Sequence, residues 1–315
     1  MRKIIGIGET VLDVIFRNDR PQDAIPGGST FNAMISLGRT LRKAPGAQVP
    51  VRMVTETGDD HIGDIILSFM RENGVDTSAV TRNPGTQSHL SMAFLNSDND
   101  AQYEFYKDHA NAGLPDDIVD RVSFDKDDIV LFGSFFAINP AIRESTLGLL
   151  KKAKAAGAIL YYDINFRRSH IKDLPQTKPA ILENCALSDF VRGSTEDFLY
   201  LFGTDSGDEI YNAHIRPLCR NFILTAGAGA TRIYQDDALL EFPVEKIETV
   251  STIGAGDNFN AGFIYALVNY GIRKEGCRAL AYPEWQKLVA VATRFSSEVC
   301  RSIYNYVSPE IELQK

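Results

Sequence analysis

The chain has 315 residues, of which 44% are hydrophobic and 23% charged, and its formal net charge at pH 7 is −8. These values indicate a globular protein with one large core, and the negative charge disfavours nucleic acid or an anionic membrane as the main partner. The four cysteines are far apart in the sequence, no signal peptide is recognisable, and no apolar run approaches the ~20 residues that span a bilayer. We therefore expect a cytoplasmic protein with reduced thiols.

The first predicted elements are a buried strand over residues 3–8 and a helix that begins near residue 29. The strand ends in Gly-Ile-Gly without the third glycine of a dinucleotide fingerprint, and the chain has no GxxxxGK[ST] motif. Ser29 or Thr30 is the expected N-cap of the helix, with Asn32 one turn inside. The preceding Gly27-Gly28 is compatible with a capped turn and equally with a point where the backbone approaches a ligand.

A strand is then predicted over residues 51–54. The helix that follows it ends near residue 73, where Asn-Gly is a helix-stop signal. Two further predicted strands, residues 89–95 and 102–107, are separated by a polar turn. Their aromatic side chains, including Phe105, are as compatible with lining a lid face as with ordinary strand packing.

From about residue 127 apolar strands and helices alternate. The predicted strands are residues 129–132, 159–163, 190–191 and 221–225; the predicted helices are residues 140–155, 181–187, 195–202 and 283–301. This alternation predicts a parallel sheet covered by helices on both faces. Ligands in such sheets bind beyond the carboxyl ends of the strands, where the segments 163–167 and 225–229 fall.

The most informative stretch is residues 251–257, Ser-Thr-Ile-Gly-Ala-Gly-Asp. Helical spacing of the apolar residues after it predicts a helix that begins near Gly256. Gly254 and Gly256 let the backbone come close to a ligand, and free amides at the start of a helix favour a phosphate. Asp257, in the first turn, is either a carboxylate that stabilises the helix start or a group within reach of that phosphate.

Together these segments resemble the PfkB-type, ribokinase-like carbohydrate kinases, and among them the fructokinases. Residues 254–257 are similar to the C-terminal signature of the family, residues 27–32 to its N-terminal signature, and residues 163–167 to its Asp-x-Asn-x-Arg motif. The resemblance covers nearly the whole chain and implies a single kinase domain, residues 1–315. Its fold would be α/β, with a doubly wound, mostly parallel sheet, helices on both faces, and a small β-sheet lid formed by about residues 11–24 and 88–107.

The resemblance implies transfer of the γ-phosphoryl group of ATP, with Mg²⁺, to a primary hydroxyl of a small sugar. Asp257 would accept the proton of the hydroxyl, and Arg167 would neutralise phosphate charge. The implied anion hole is the backbone of Gly254, Ala255 and Gly256. The implied sugar-binding residues are Asp13, Gly28, Asn32, Phe105 and Asp257. The implied ATP-binding residues are Ser194, Thr225, Gly227, Gly229, Gly254 and Gly256.

Several consequences of the resemblance leave alternatives open. Asp197 is the expected carboxylate for the water shell of magnesium, with Glu196 as the competing candidate. Fructose is the favoured substrate, 2-keto-3-deoxygluconate the second, and a non-catalytic sugar-binding relative the alternative of another class. The family signature opens with Asp where this chain has Ser251, so we expect potassium to activate little. The lid strands are expected to pair with those of a second subunit in a homodimer.

Overall fold

A computed structural model describes residues 2–42, 49–95, 101–106 and 113–311, without the side chains of residues 95, 101–103 and 105. Its strands are β1 (Ile4–Ile7), β2 (Val11–Arg17), β3 (Arg20–Gly27), β4 (Val51–Gly58), β5 (Val75–Asn83), β6 (Leu90–Leu95), β7 (Ala101–Tyr106), β8 (Ile129–Gly133), β9 (Ile159–Asp163), β10 (Phe190–Ser194), β11 (Asn221–Thr225), β12 (Thr231–Gln235) and β13 (Ala238–Phe242). Its helices are α1 (Ser29–Leu41), α2 (His61–Glu72), α3 (Ile118–Arg121), α4 (Arg143–Ala155), α5 (Leu174–Leu187), α6 (Thr195–Phe202), α7 (Gly207–Ile210), α8 (Ala255–Asn269) and α9 (Tyr282–Cys300).

Nine strands form the central sheet in the order β13-β12-β11-β10-β9-β8-β1-β4-β5. The strands from β11 to β5 pair in parallel, because helices carry the chain back between successive strands. The β11–β12 and β12–β13 pairs at the other edge are antiparallel. The predicted doubly wound, mostly parallel sheet is therefore confirmed, with an antiparallel hairpin at one edge.

Helices cover both faces of the sheet, and each face has its own apolar core. One core joins α1, α2, α8 and α9 to the sheet and contains the buried Trp285. The other joins α3 to α7 and contains the stacked rings of Phe132 and Tyr162, 4.9 Å apart. Strands β8 and β9, in the middle of the parallel sheet, are buried along their whole length because both faces of the sheet are covered.

A second sheet of four strands, in the order β3-β2-β6-β7, lies apart from the central sheet. The hairpin β2–β3 turns at Asn18 and Asp19, both with positive φ, as a two-residue hairpin loop requires. Strand β6 pairs in parallel with β2 and antiparallel with β7. This is the predicted small sheet, although its hairpin extends to Gly27 rather than to residue 24, and its role as a lid stays a prediction.

Some local predictions need correction. Strands β5, β12 and β13 were not predicted, and α5 begins at Leu174 rather than near residue 181 because Pro179 is accommodated inside the helix. The predicted N-cap of α1 is wrong: Gly28, with φ 121°, takes that position, and a glycine has no side chain with which to cap the helix. Among the described residues, every helix is too short or too polar to cross a membrane.

Candidate active site

The carboxyl ends of β9, β10 and β11 meet the first turn of α8. Asp163, Ser194 and Thr225 are the last residues of these three strands, and α8 begins at Ala255. The parallel register places the strand ends side by side, with Arg192 opposite Asp163 and Ser194 opposite Thr225. Four segments that are far apart in the sequence therefore form one polar edge, where ligands of parallel α/β sheets bind.

The turn before α8 is held in place by side chains on both sides. Gly254, the N-cap, has φ 76° and ψ 0°, which is left-handed backbone. The Ser251 hydroxyl accepts a hydrogen bond from the backbone N of Ile253 at 3.2 Å. Asn258 donates through Nδ2 to the carbonyl oxygens of Gly254 (2.8 Å) and Asn305 (2.7 Å). The Ala255 amide donates to the Thr252 carbonyl oxygen at 3.2 Å, so the turn is fixed by backbone as well as by side-chain hydrogen bonds.

Asn258 also connects this turn to α1. Its Oδ1 accepts a hydrogen bond of 2.5 Å from the Ser36 hydroxyl, which in turn accepts one of 3.1 Å from the backbone N of Val307. Asn258 and Ser36 are fully buried. Neither residue was predicted to belong to the site. The signal that was available is an amide side chain among the apolar residues of the helix, since a buried polar group must find a partner.

Asp257 lies at the centre of the site, 8% exposed, with a partner on each carboxylate oxygen. The Ser29 hydroxyl donates to Oδ1 at 2.7 Å, and Asn32 Nδ2 donates to Oδ2 at 2.8 Å. Burial raises the pKa of Asp257, whereas these two hydrogen bonds and the charge of Arg167 oppose the rise. The structure therefore brings two of the predicted sugar-binding residues, Asn32 and Asp257, into direct contact, and it adds Ser29.

Asp13 extends the site onto the small four-stranded sheet. It lies on β2, 6% exposed, and its carboxylate packs directly over the Cα of Gly27 at the end of β3. Burial raises the pKa of Asp13 to about 6, and the charges of Arg167 and Asp257 both act on it. Asn305 Nδ2 lies 3.5 Å from Oδ2. Asp13 and Asp257 are thus close enough in one cleft to interact electrostatically.

A buried polar network lies beneath the first turn of α8. Arg192 contacts Asp163 through Nη1 (3.0 Å to Oδ1) and the Thr225 hydroxyl through Nη2 (2.8 Å). Asn260 Nδ2 donates to Asp163 Oδ2 at 2.7 Å, and the Tyr161 hydroxyl donates to Asn260 Oδ1 at 3.0 Å. Asp163 belongs to a predicted motif, whereas Arg192 and Asn260 were overlooked. A single cation inside an apolar strand was the signal that could have found Arg192.

The two candidate magnesium carboxylates have different surroundings. Asp197 is buried in a capping box: its Oδ2 accepts from the backbone N and the hydroxyl of Ser194, at 2.6 and 2.7 Å. Burial, followed by the charge of Asp163, raises the pKa of Asp197 to about 6. Glu196 is exposed and accepts a hydrogen bond from the Tyr200 hydroxyl at 2.7 Å. Groups of three or more side chains able to bind a metal directly are absent from the described residues.

Three of the remaining predicted residues, Gly227, Gly229 and Arg167, are exposed. Gly227, with φ 54°, and Gly229 are exposed, and a Cβ at Gly227 would meet no described atom within 4 Å. Arg167 is exposed, while its charge reaches both Asp13 and Asp257. Phe105 is on β7, but its side chain lies outside the described part of the chain, so its contact with sugar stays a prediction.

A helix that begins at a left-handed glycine, beside a buried carboxylate and the carboxyl ends of parallel strands, is suited to binding phosphate next to a proton acceptor. The family model described as pfkB family carbohydrate kinase matches residues 1–306, so the chain belongs to the pfkB family of carbohydrate kinases. Among curated proteins it is 29% identical to a fructokinase of Rhizobium leguminosarum bv. trifolii, over 84% of this chain and 79% of the relative. It is 23% identical to a fructokinase of Vibrio alginolyticus, over 93% of this chain and 97% of the relative.

Solved structures confirm the ribokinase-like fold. A double-mutant fructokinase from Vibrio cholerae O395, with fructose, ADP and potassium bound, superimposes with a TM-score of 0.83 at 19% identity, over 98% of this chain and 95% of that chain. Aminoimidazole riboside kinase from Salmonella enterica, complexed with its riboside and an ATP analogue, gives a TM-score of 0.80 at 19% identity, over 98% of this chain and 96% of that chain.

Proposed function

We propose that the protein is an ATP-dependent fructokinase that transfers a phosphoryl group to a primary hydroxyl and forms fructose 6-phosphate. The observation that carries the proposal is the position of Asp257. It joins the anion-binding start of α8 to Asn32 on the sugar side through a hydrogen bond of 2.8 Å. A proton acceptor between a phosphate site and a hydroxyl site is the arrangement that phosphoryl transfer to an alcohol requires.

In this mechanism Asp257 accepts the proton of the acceptor hydroxyl as that oxygen bonds to the γ-phosphorus and the bond to ADP breaks. The amides of the 254–256 turn stabilise the negative charge on the phosphoryl oxygens. Ser29 and Asn32 orient the carboxylate by holding one oxygen each. Positioning and charge stabilisation of this kind supply most of the rate in phosphoryl transfer.

The chain's own groups suit a nucleotide with magnesium. The 254–256 turn would hold the transferring phosphate, and Thr225 with the open glycine segment 227–229 would lie along the others. Magnesium would supply charge neutralisation between the phosphates, and Asp197 or Glu196 would bind its water shell. The burial of Asp197 and its bonds to Ser194 favour Glu196 as the more accessible of the two.

Asn32 supports a polyhydroxy acceptor. Its Oδ1 is buried and has no hydrogen-bond partner among the described residues, while its Nδ2 is bound to Asp257. An unpaired buried acceptor costs ~1–3 kcal/mol, so a hydroxyl donor from a substrate would be stabilising there. Asp13 offers a second acceptor across the cleft.

The second candidate substrate is 2-keto-3-deoxygluconate, because the exposed guanidinium of Arg167 would suit its carboxylate. Against it, the ionised forms of Asp13, Asp257 and Glu9 place negative charge at the same end of the cleft, where Glu9 acts on Asp13.

ADP release should be measured against fructose, other hexoses, ribose, keto-sugar acids and nucleosides. We expect fructose to give the highest kcat/KM; preference for a sugar acid or a nucleoside would reject fructokinase, and no ADP release with any of them would reject the kinase.

Alanine variants of Asp13 and Asn32 should each raise the sugar KM by roughly tenfold or more, because a hydrogen bond to a charged or buried group is worth about 1.5–3 kcal/mol. The ATP KM should change little. Thr177→Ala, which removes a buried hydroxyl bonded to the Asp173 carbonyl, is the control for general loss of stability. Weakened ATP binding with an unchanged sugar KM would show that the sugar site lies at the other end of the cleft.

The lid is proposed to form a homodimer. Its outer strands are β3 and β7, and residues 20–24 of β3 are exposed along an open edge. Such an edge pairs readily with another strand. We expect light scattering at micromolar concentration to give about twice the chain mass of 34.9 kDa. A monomer under those conditions would remove this proposal.

Potassium should raise the rate by less than about twofold, because a site that lacks a carboxylate attracts a cation more weakly. Ser251 is buried at the position where the family signature carries Asp, and its hydroxyl accepts a bond from Ile253. Initial rates in tetramethylammonium buffer, with and without potassium chloride and at constant ionic strength, measure the effect. Strong saturable activation at low millimolar potassium would show that the missing carboxylate does not matter.

A further inference from the structure

We propose that Arg192 is a positioning residue for phosphoryl transfer, and that its buried guanidinium both fixes the 254–256 turn and places a permanent positive charge behind it. This inference rests on the proposed function and assigns to the same site a residue that the family resemblance did not supply. The proposal rests on the contacts of the Arg192 side chain with three segments: the ends of β9 and β11 and the first turn of α8.

The first observation is how these segments converge. Arg192 Nη1 contacts Asp163, the last residue of β9, and Nη2 contacts the hydroxyl of Thr225, the last residue of β11. A Cβ built on Gly256 would lie 2.9 Å from both Nη1 and Nη2, so the guanidinium packs directly against the Cα of this glycine. One planar group therefore spaces the two strand ends and supports the first turn of α8.

The second observation is the charge balance around the guanidinium. Asp163 and Asp197 both act on Arg192 electrostatically, and the Phe259 ring lies 5.9 Å from its Cζ. Burial lowers the pKa of Arg192 while Asp163 raises it, and the net shift is upward, so the side chain stays charged. Without this cation, two carboxylates would lie beneath a turn that has to bind phosphate, and their negative charge would repel the phosphate.

The third observation is that the ion pair of Arg192 and Asp163 is buried, where an ion pair contributes little to the stability of the fold. The Arg192 side chain is 9% exposed, that of Asp163 is 3% exposed, and Arg192 Nε is buried without a hydrogen-bond partner among the described residues. Replacing buried ion pairs by apolar residues of similar volume is often neutral or stabilising. A role at the adjacent phosphate site gives a reason for the charge that stability alone does not.

The test compares Arg192→Gln and Arg192→Lys with the matched controls Arg143→Gln and Arg143→Lys. Arg143 is also a largely buried arginine, 16% exposed, with bonds to the Ala137 carbonyl, Asn184 and Glu183, but it lies at the start of α4. Each variant is measured for kcat, for the KM of sugar and ATP, for the melting temperature, and for ATP and ADP affinity by calorimetry without acceptor.

We expect Arg192→Gln to lower kcat by about 10²–10³-fold, the usual effect of removing one group that stabilises transition-state charge. The sugar KM should stay within about threefold, and ATP affinity should fall by about tenfold, more than ADP affinity, because the γ-phosphate lies nearest the turn. Arg192→Lys keeps the charge but not the planar fork and should lose only about three- to tenfold in kcat. The Arg143 variants should change the melting temperature and leave kcat and nucleotide affinity unchanged.

Three results would overturn the proposal: equal kcat losses in the glutamine and lysine variants of Arg192, losses no greater than those of the Arg143 controls, or unchanged ATP affinity in Arg192→Gln. If the glutamine variant does not fold, Arg192→Lys with wild-type kcat and ATP affinity would overturn it. These outcomes differ from failure of the proposed function, in which the wild-type protein itself releases no ADP with any acceptor.

Discussion

Replacing Asp257 by Asn should lower kcat by roughly 10²–10⁴-fold, the usual contribution of a positioned general base. The amide is nearly isosteric, so the hydrogen bond from Ser29 can persist through the remaining oxygen. The new NH₂ group can neither accept a proton nor accept the bond that Asn32 donates to Oδ2 in the native protein. ATP affinity should stay within a few-fold, because the backbone amides of the turn are unchanged.

Asp128→Asn is the matched control for this prediction. Asp128 is also buried and accepts bonds from the backbone N of Lys3 and of Asp125, but it precedes β8, away from the carboxyl ends of the strands. It should lose stability without a loss of kcat. If Asp257→Asn retained more than about a tenth of the wild-type kcat, a general-base role worth at least 10²-fold would be excluded.

The pH dependence gives a second measure of the same role. Burial raises the pKa of Asp257 above its usual value, and a general base must be ionised to act. As pH falls through this raised pKa, the carboxylate takes up a proton, so kcat should decline at a higher pH than an ordinary Asp would give. The part of this decline in kcat that Asp257 causes should disappear in Asp257→Asn, whereas a decline caused by Asp13 or Asp197, whose pKa values burial raises to about 6, should remain.

The sequence predicted best those elements whose signals are local. Helix α6 has the predicted bounds Thr195–Phe202, because a Ser N-cap and a left-handed glycine delimit it. Strand β11 has the predicted bounds Asn221–Thr225 because its apolar run is short and sharply bounded. Strand β5 lacked such a signal: its burial pattern is mixed, and its place in the sheet depends on pairing with β4.

The site was predictable in its motifs but not in its contacts. The resemblance named Asp257, Asn32 and Asp13 separately, and the contact between Asn32 and Asp257 joins residues 225 positions apart. Neither motif by itself indicates that these two side chains are in contact. Arg192 and Asn258 were missed for the same reason: a polar residue in an apolar segment indicates that some partner is needed, but the partners that give each residue its role lie on other elements.

Gly254→Ala should reduce kcat by roughly 10²-fold, the loss that follows when reacting groups are misplaced by about 1 Å. At φ 76° an alanine costs about 1–3 kcal/mol of backbone strain. In addition, its Cβ would lie 2.8 Å from the carbonyl oxygen of Asn305, so the turn or residue 305 has to move. That movement would disturb the bonds through which Asn258 holds both carbonyls and would turn the amides away from the phosphate.

Gly203→Ala is the control that separates the effect of backbone strain from the effect of displacing the turn before α8. Gly203 has the same φ of 76° and ends α6, and a methyl group added there would meet no described atom within 4 Å, so its alanine variant carries the backbone strain without the collision. Both variants should lower the melting temperature, but only Gly254→Ala should lower kcat and weaken ATP binding at a pH and temperature where both are folded. Equal kcat values in the two variants would mean that the turn tolerates displacement, and the anion hole would then have to be sought elsewhere along the cleft.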